Sequence, residues 1–201
     1  MLLIYTILAK KGYTLTSKLV IGLTGMPGAG KSVVVNAAKE LSYDVIVMGD
    51  EVREEARKRG LKPTPENLGK IMLELRRTEG ETVIAKRCIP KIKASVKERI
   101  IIDGVRSLKE VEEFKKNFPR FSLIAVFASP KTRFKRLYNR GRSDDPKNWE
   151  LFRERDLREL SVGLGNVIAL ADHIIVNEEE IDKAKRSAKE ILKKVESEWT
   201  E

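Results

Sequence analysis

One glycine-rich segment near the amino terminus constrains the fold more than any other part of the chain. Residues 25–32 read Gly-Met-Pro-Gly-Ala-Gly-Lys-Ser, which fits the pattern G-x-x-x-x-G-K-[ST]. The segment follows the β-branched run KLVIGLT, from Lys18 to Thr24, and a helical pattern begins at Lys31. Glycines in such a loop let backbone amides turn inward around phosphate oxygens, and the helix N-terminus adds a partial positive charge. The sequence therefore predicts a strand, a phosphate-binding loop and a helix in direct succession.

The chemistry of this loop predicts a nucleoside triphosphate with magnesium. Lys31 is expected to reach the β- and γ-phosphates, and the Ser32 hydroxyl is expected to ligate Mg²⁺. We therefore expect ATP and Mg²⁺ as cofactors. The residues expected to bind the nucleotide here are Gly25, Met26, Pro27, Gly28, Ala29, Gly30, Lys31, Ser32 and Val33.

Short apolar runs alternate with helical patterns along the rest of the chain. Continuous apolar strands separated by helices are typical of a parallel sheet that is covered on both faces. The prediction is an α/β protein, a three-layer α/β/α P-loop NTPase fold with five parallel strands and a ligand crevice at their carboxyl ends. After the first strand, the predicted strands are Tyr43–Met48, Arg99–Asp103, Ser122–Ala128 and His173–Val176.

Helix signals lie between these strands. Asp50 is expected to cap a charged helix that ends near Gly60, and Ser107 with Glu110 has the spacing of a capping box. A long helical stretch over 149–171 contains Gly163 and Gly165, where it can break. The remaining predicted helices cover about 64–78, 81–95, 130–139 and 181–199, and 141–148 is expected to be a loop.

The composition limits the partners and the compartment. The net charge of +10 and the pI near 9.6 favour anionic partners, which include nucleotides, nucleic acid and acidic membrane surfaces. Cys88 is the single cysteine, so no internal disulfide can form, and we expect a reducing, cytoplasmic location. With His173 as the single histidine, the chain has no ligand set for a structural zinc site.

The first 17 residues are expected to lie outside the main domain. Met1 to Ala9 reads MLLIYTILA, which is far shorter than the ~20 residues that span a bilayer. Positive charge follows this run and no cleavage site succeeds it, unlike a signal peptide. We expect an added strand or an extension here, with membrane-surface or partner docking as the alternative. Residues 18–201 are expected to form one domain.

Three further segments carry residues suited to phosphate chemistry. Gly49-Asp50-Glu51-Val52-Arg53 follows the second strand, Asp103-Gly104-Val105-Arg106 follows the third, and the run from Arg136 to Arg153 is rich in arginine. A phosphoryl transition state spreads negative charge over three oxygens, so catalysis consists of positioning and cations. Arginine suits this task because its fork binds phosphate bidentately and stays charged. A solvated basic helix or a nucleic-acid patch is the alternative for the third segment.

These segments resemble the adenylate-kinase group of P-loop phosphotransferases, and most closely the small archaeal proteins related to AMP and CMP kinases. The resemblance runs from about Lys18 to the end of the chain. It implies that Asp50 and Arg53 lie at the acceptor site, with Arg53 on the acceptor phosphate. It also implies that Asp103 lies near the magnesium waters and that Arg106 binds the acceptor, although Arg106 comes one residue early for the D-G-x-x-R pattern. The acceptor-binding helices would cover about 50–97.

The resemblance also implies a short helical lid over about 136–156. Arg136 and Arg140 match an R-x-x-x-R pair that precedes the lid in adenylate kinases. The lid itself closes with R-x-D-D and a later arginine, which match Arg142, Asp144-Asp145 and Arg153. By resemblance Arg136 stacks on adenine, and the moving phosphoryl group is surrounded by Arg140, Arg142 and Arg153.

The last strand ends in a second likeness. Residues 171–177 read ADHIIVN and look like the A-D-x-x-I-x-N stretch of dephospho-coenzyme A kinases. In those enzymes the loop that follows flanks the adenine, which places Asn177 in the nucleotide site.

Three functions fit the sequence. The first is a kinase that moves the γ-phosphoryl of ATP to a nucleoside monophosphate or a related small phosphorylated acceptor. The second is a kinase of the dephospho-coenzyme A kinase type, in which a hydroxyl is the acceptor and Asp50 takes its proton. The third is a nucleotide-dependent protein that binds RNA, which the basic pI favours although no RNA-recognition signature is present. We expect a small-molecule acceptor and no membrane association.

Overall fold

Five parallel strands form a central sheet in the order β2–β3–β1–β4–β5. The computed structural model describes residues 17–142 and 145–199, so the expected extension over 1–16 lies outside the described residues. β1 is the middle strand, and its register places Ile21 beside Ile101 on one side and Ser122 on the other. The strands are β1 Leu19–Thr24, β2 Asp44–Val47, β3 Arg99–Asp103, β4 Phe121–Phe127 and β5 His173–Val176.

Helices cover both faces of this sheet. On one face, Ile21 and Ile101 pack against Ala37 of α1 and Leu192 of α9. On the other face, Ile100 belongs to a cluster that joins helices α2 to α5 and α8. These contacts confirm the predicted three-layer architecture. The helices are α1 Lys31–Glu40, α2 Met48–Lys58, α3 Pro65–Glu79, α4 Val83–Ala94, α5 Leu108–Asn117, α6 Pro130–Arg140, α7 Trp149–Ser161, α8 Leu164–Ala169 and α9 Ile181–Glu198.

One expectation for the segment after the first helix was wrong. Helix α2 begins at Met48, directly after β2, so Asp50 lies in its first turn and does not cap it. The residue at the capping position is Val47, which has no side chain able to accept a hydrogen bond. β2 itself is half-buried because it forms an edge of the sheet.

Other local predictions were confirmed. Ser107 and Glu110 form the capping box at the start of α5. The long helical stretch breaks at Gly163, which has a φ of +98° that favours glycine and separates α7 from α8. Among the described residues, no helix has the length and apolarity needed to cross a membrane.

Candidate active site

The glycine-rich segment folds as a loop between β1 and α1, and its glycines are required by both conformation and packing. Gly25, Gly28 and Gly30 have φ angles of +144°, +82° and +94°. A Cβ at Gly28 would lie 2.7 Å from the carbonyl oxygen of Arg133, and one at Gly25 would overlap the carbonyl oxygen of Val126. The loop therefore packs directly against β4 and α6, with its backbone amides leading into the N-terminus of α1.

Lys31 lies in the first turn of α1 and reaches back over the loop. Its Nζ donates a hydrogen bond of 2.7 Å to the carbonyl oxygen of Gly25. Burial lowers the pKa of Lys31, while the carboxylates of Asp103 and Glu159 act to raise it. The neighbouring Ser32 side chain is exposed on the same turn of the helix. The predicted phosphate-binding lysine thus lies in a cluster of mixed charge, because Arg106 and Arg155 also act on it and lower its pKa.

Asp103 ends β3 beside the loop and has the chemistry of a magnesium-associated acid. Its Oδ1 atom is buried and has no hydrogen-bond partner in the described part of the chain. Burial raises the pKa of Asp103 above its usual value, although the charges of Lys31, Arg106 and Arg53 act to lower it. Within residues 17–142 and 145–199, no group of three or more His, Cys, Asp or Glu residues is placed to hold a metal. An ion held by Ser32 or Asp103 would take its remaining ligands from phosphates and water, which suits Mg²⁺.

Two predicted acceptor residues lie together at the mouth of this site. Arg53 forms an ion pair of 2.6 Å with Asp50, and more than half of each side chain is exposed. Both charges influence the pKa of Asp103, because the first turns of α2 lie close to the end of β3. The structure therefore brings Asp50, Arg53 and Asp103 to one end of the sheet.

Arg106 is held from two sides. Its backbone amide donates to Glu110 of α5 at 2.8 Å, and its guanidinium Nε lies 3.6 Å from Oε2 of Glu159 on α7. Glu110 is fully buried and also accepts a hydrogen bond from Arg76 of α3 at 2.6 Å. The early position of Arg106 in its motif thus still leaves this arginine within the charge cluster around Lys31.

The segment after α6 is organised by one carboxylate. Arg140 binds Asp145 through two hydrogen bonds of 2.9 and 2.5 Å, and the Arg142 amide donates to Asp145 at 3.0 Å. Burial alone would raise the pKa of Asp145, but these hydrogen bonds hold it below its usual value. The Arg142 side chain is exposed. Asp144 lies outside the described residues.

Two arginines of α7 lie in different surroundings, and the role of Arg153 stays a prediction. Arg153 is exposed, whereas the charge of Arg155 acts on Lys31, and its Nη1 lies 3.7 Å from Asp145. Sequence reasoning missed both Arg155 and Glu159. A signal for them existed, because Phe152, Arg155 and Glu159 have the spacing of one helix face and Phe152 is buried.

Arg136 and Asn177 brace the back of the loop. The side-chain amide of Asn177 donates to the backbone carbonyl oxygen of Ala29 at 2.8 Å. The guanidinium of Arg136 donates to the backbone carbonyl oxygen of Asn177 at 2.9 Å. Asn177 is buried and would clash with any side chain at Gly30. These contacts are made with the protein itself, so the stacking of Arg136 on adenine stays a prediction.

A buried arginine that the sequence reasoning missed connects the loop to α7. Arg133 is only 4% exposed and binds both carboxylate oxygens of Asp156, at 2.8 and 2.5 Å. It also donates to the carbonyl oxygens of Ala128 at 3.1 Å and Pro27 at 3.2 Å. Its guanidinium lies 4.9 Å from the ring centre of Phe152. The available signal was that Arg133 precedes the buried Leu137 by one helical turn.

Sequence comparison places this chain in a family. The model of a family described as AAA domain matches residues 24–153, from the end of β1 into α7. A UPF0200 protein of Hyperthermus butylicus is 49% identical over 178 residues, which cover 89% of this chain and 95% of that relative. The chain belongs to the UPF0200 family. Another UPF0200 protein, from Pyrococcus abyssi, is 46% identical over 181 residues, which cover 88% of this chain and 97% of that one.

Solved structures show that the UPF0200 chain has the fold of P-loop kinases. Shikimate kinase from Acinetobacter baumannii, in complex with shikimate, matches with a TM-score of 0.56 and 19% identity, over 94% of this chain and 98% of that one. A gluconokinase from Sinorhizobium meliloti matches with a TM-score of 0.55 and 14% identity, over 92% of this chain and 98% of that one. At sequence identities of 19% and 14%, the similarity shows the fold alone.

Proposed function

We propose that this UPF0200 chain is an ATP-dependent phosphotransferase that moves the γ-phosphoryl of Mg-ATP to a nucleoside monophosphate or a related small phosphorylated acceptor. One observation carries the proposal. Lys31 of the glycine-rich loop, the buried carboxylate of Asp103 and the arginines Arg53 and Arg106 meet at the carboxyl end of the sheet. Such a site can hold two phosphate groups side by side.

The nucleotide side is built on the loop. Its backbone amides and Lys31 hold the β- and γ-phosphates, for which Lys31 exchanges the Gly25 carbonyl for phosphate oxygens. Ser32 and Asp103 would hold Mg²⁺, which when bound neutralises charge on the phosphate oxygens. The adenine lies toward Arg136 and Asn177. The lid over 136–156 contributes Arg140, Arg142 and either Arg153 or Arg155 around the moving phosphoryl group.

The acceptor side is built on α2 and the end of β3. Arg53 and Arg106 bind the acceptor phosphate, and Asp50 orients Arg53 through their ion pair. A phosphate oxygen attacks already ionised, so this acceptor requires no general base. The helices over about 50–97 would enclose it. A cytoplasmic location and the absence of membrane association belong to the same proposal.

A hydroxyl acceptor is the second candidate. Asp50 lies in the first turn of α2, and its charge acts on Asp103, so it is placed to take a proton from a hydroxyl at the site mouth. The fold shared with shikimate kinase and gluconokinase favours the same candidate. No comparable observation favours RNA as the partner.

The test is an acceptor screen with a matched pair of variants. The purified protein is incubated with Mg-ATP and a panel of nucleoside monophosphates, dephospho-coenzyme A and small alcohols, and ADP release and product mass are followed. We expect Lys31→Ala to abolish transfer, because it removes the point charge over the phosphates, whereas Lys39→Ala on the exposed end of the same helix should keep wild-type turnover. Equal turnover in both variants would contradict the proposal.

A further inference from the structure

All three guanidinium nitrogens of Arg133 donate hydrogen bonds, and the acceptors lie in three different parts of the fold. Its Nε binds the Ala128 carbonyl just after β4, and one terminal nitrogen binds the Pro27 carbonyl in the loop. Both terminal nitrogens also bind Asp156 in the middle of α7. A single side chain of α6 thus joins the sheet, the loop and α7.

Stability alone does not explain this arrangement. Replacing a buried ion pair with apolar side chains of similar size is often neutral or stabilising, because both charges must leave water. Arg133 and Asp156 are both largely buried, at 5% and 15% side-chain exposure. A methionine could fill the same space beside Phe152. The contacts to Pro27 and Asp156 therefore point to a role in geometry.

The bond to Pro27 sets the direction of a backbone amide. In a trans peptide, the carbonyl of one residue and the amide of the next point in opposite directions. No described peptide bond is cis, so holding the Pro27 oxygen toward Arg133 turns the Gly28 amide away from α6. That amide belongs to the loop that the proposed function assigns to the nucleotide phosphates.

The bond to Asp156 acts on the neighbouring residues of α7. Arg155 precedes Asp156, and Glu159 follows it by three residues on the same helix. Both of these charges act on Lys31. Fixing α7 at Asp156 therefore also fixes the distance of two charges from the phosphate-binding lysine.

We propose that Arg133 is a positioning residue that aims the Gly28 amide and ties the phosphate loop and α7 into one rigid unit. The proposal rests on the proposed function in assigning that loop to nucleotide phosphates. Arg133 itself touches no phosphate in this arrangement. Its effect on nucleotide binding passes through Pro27 and Asp156.

The experiment compares Arg133→Met and Arg133→Lys with Lys135→Met, an exposed position on the same helix. Amide exchange is measured without nucleotide at Ala29, whose buried N–H donates to the Met26 carbonyl at 3.0 Å within the loop, with Leu192 in the core of α9 as the reference for global opening. Mg-ADP affinity is measured by calorimetry on the same samples. Loss of a hydrogen bond from a charged group predicts about tenfold faster exchange at Ala29 and about tenfold weaker Mg-ADP binding in Arg133→Met.

The lysine variant separates charge from geometry. A single ammonium can pair with Asp156 but lacks the fork that spans Asp156 and the Pro27 carbonyl, so Arg133→Lys should accelerate exchange at Ala29 nearly as much as Arg133→Met. If exchange at Ala29 and Leu192 accelerates equally in both variants, or if exchange at Ala29 matches that in Lys135→Met, the positioning role is wrong.

Two further outcomes remain decisive. Should Arg133→Met fail to fold, Asp156→Asn keeps the shape of the partner and weakens its hold on Arg133, and exchange at Ala29 should still increase more than at Leu192. An equal increase at both positions would overturn the proposal. Should the wild-type chain bind no Mg-ADP, the proposed function fails, while the exchange comparison still decides the role of Arg133.

Discussion

Individual charged residues act on one another strongly here because a buried carboxylate and several cations lie within a few side-chain lengths. One buried oxygen of Asp103 has no hydrogen-bond partner among the described residues, and burial raises the pKa of Asp103 although the charges of Lys31, Arg106 and Arg53 act to lower it. Removing any one of these cations changes the charge of the whole site. Single substitutions should therefore separate the candidate acceptors.

The Asp50 and Arg53 pair decides between the two kinds of acceptor. For a phosphate acceptor, Arg53→Ala should raise the acceptor KM by about tenfold or more, since it removes a charge-assisted hydrogen bond. Asp50→Asn should then cost little kcat, because no proton must be removed. For a hydroxyl acceptor, Asp50→Asn should instead lower kcat by about 10² to 10⁴. Steady-state kinetics on the acceptor found in the screen provides the measurement.

Arg186→Ala is the control, since Arg186 is exposed on α9, outside the proposed acceptor helices. We expect it to change neither KM nor kcat. A large fall of kcat in Asp50→Asn beside unchanged kinetics in Arg53→Ala would reject the phosphate acceptor in favour of the hydroxyl.

At the scale of elements, the rotation of α7 about its axis decides which arginine lies near Lys31 in this structure. The Asn148 side chain caps this helix through the Leu151 amide at 2.9 Å, and the burial of Phe152 fixes the inward face. That face carries Arg155 and leaves Arg153 exposed. The resemblance to the adenylate-kinase lid implies Arg153, which stays a prediction, and that motif carries no information on the burial of Phe152 that turns Arg155 inward.

The turn around Asp145 should depend on pH in a definite direction. The pKa of Asp145 is lowered from a usual value of 3.8, so its ionised form stabilises the turn above that value, and the stabilisation is lost as the pH falls through the lower folded value. We expect the amide of Arg142, which donates to Asp145, to change its NMR chemical shift only in acid below pH 3.8.

A nearby amide serves as the control. The Leu151 amide donates to Asn148, which does not titrate, and its shift should stay constant over the same range. The variant Asp145→Asn should show no acid transition at Arg142. A transition that persists in this variant would assign the titration to another group.

At the scale of the whole molecule, one face of the sheet supports the proposed acceptor helices from beneath. Its core includes Cys88 of α4, Val52 of α2 and Phe114 of α5. Cys88 is fully buried, and burial raises the pKa of its thiol to about 12. As the only cysteine of the chain, it reports on the opening of this core.

Thiol labelling should therefore follow unfolding. At pH 8 we expect a disulfide reagent to react with Cys88 only when the core opens, and Mg-ADP at 100 times its Kd should slow labelling by about 100-fold, because a ligand of the folded state reduces the unfolded population. Absorbance of the released thiolate provides the measurement. Complete labelling within the mixing time in native buffer would contradict the buried position of Cys88.

Long-range pairing explains why the sequence predicts some features of this fold and site and misses others. The strands and the loop over residues 25–32 were predicted because short stretches encode them, and the parallel layers followed from the alternation of strands and helices. The order of the strands depends on pairs such as Val20 with Phe121, which no local pattern marks. The role of Arg133 was missed for the same reason, since Pro27 and Asp156 are distant in the chain.

The central position of β1 has a consequence for how the chain is made. During synthesis β1 leaves the ribosome first, but its two neighbours are the later strands β3 and β4. The glycine-rich loop then rests on Val126 and receives a further contact from Asn177, which directly follows β5. A nascent chain thus lacks these contacts until β4 and β5 have been made. Nucleotide capture should therefore be absent from nascent chains that end before β5.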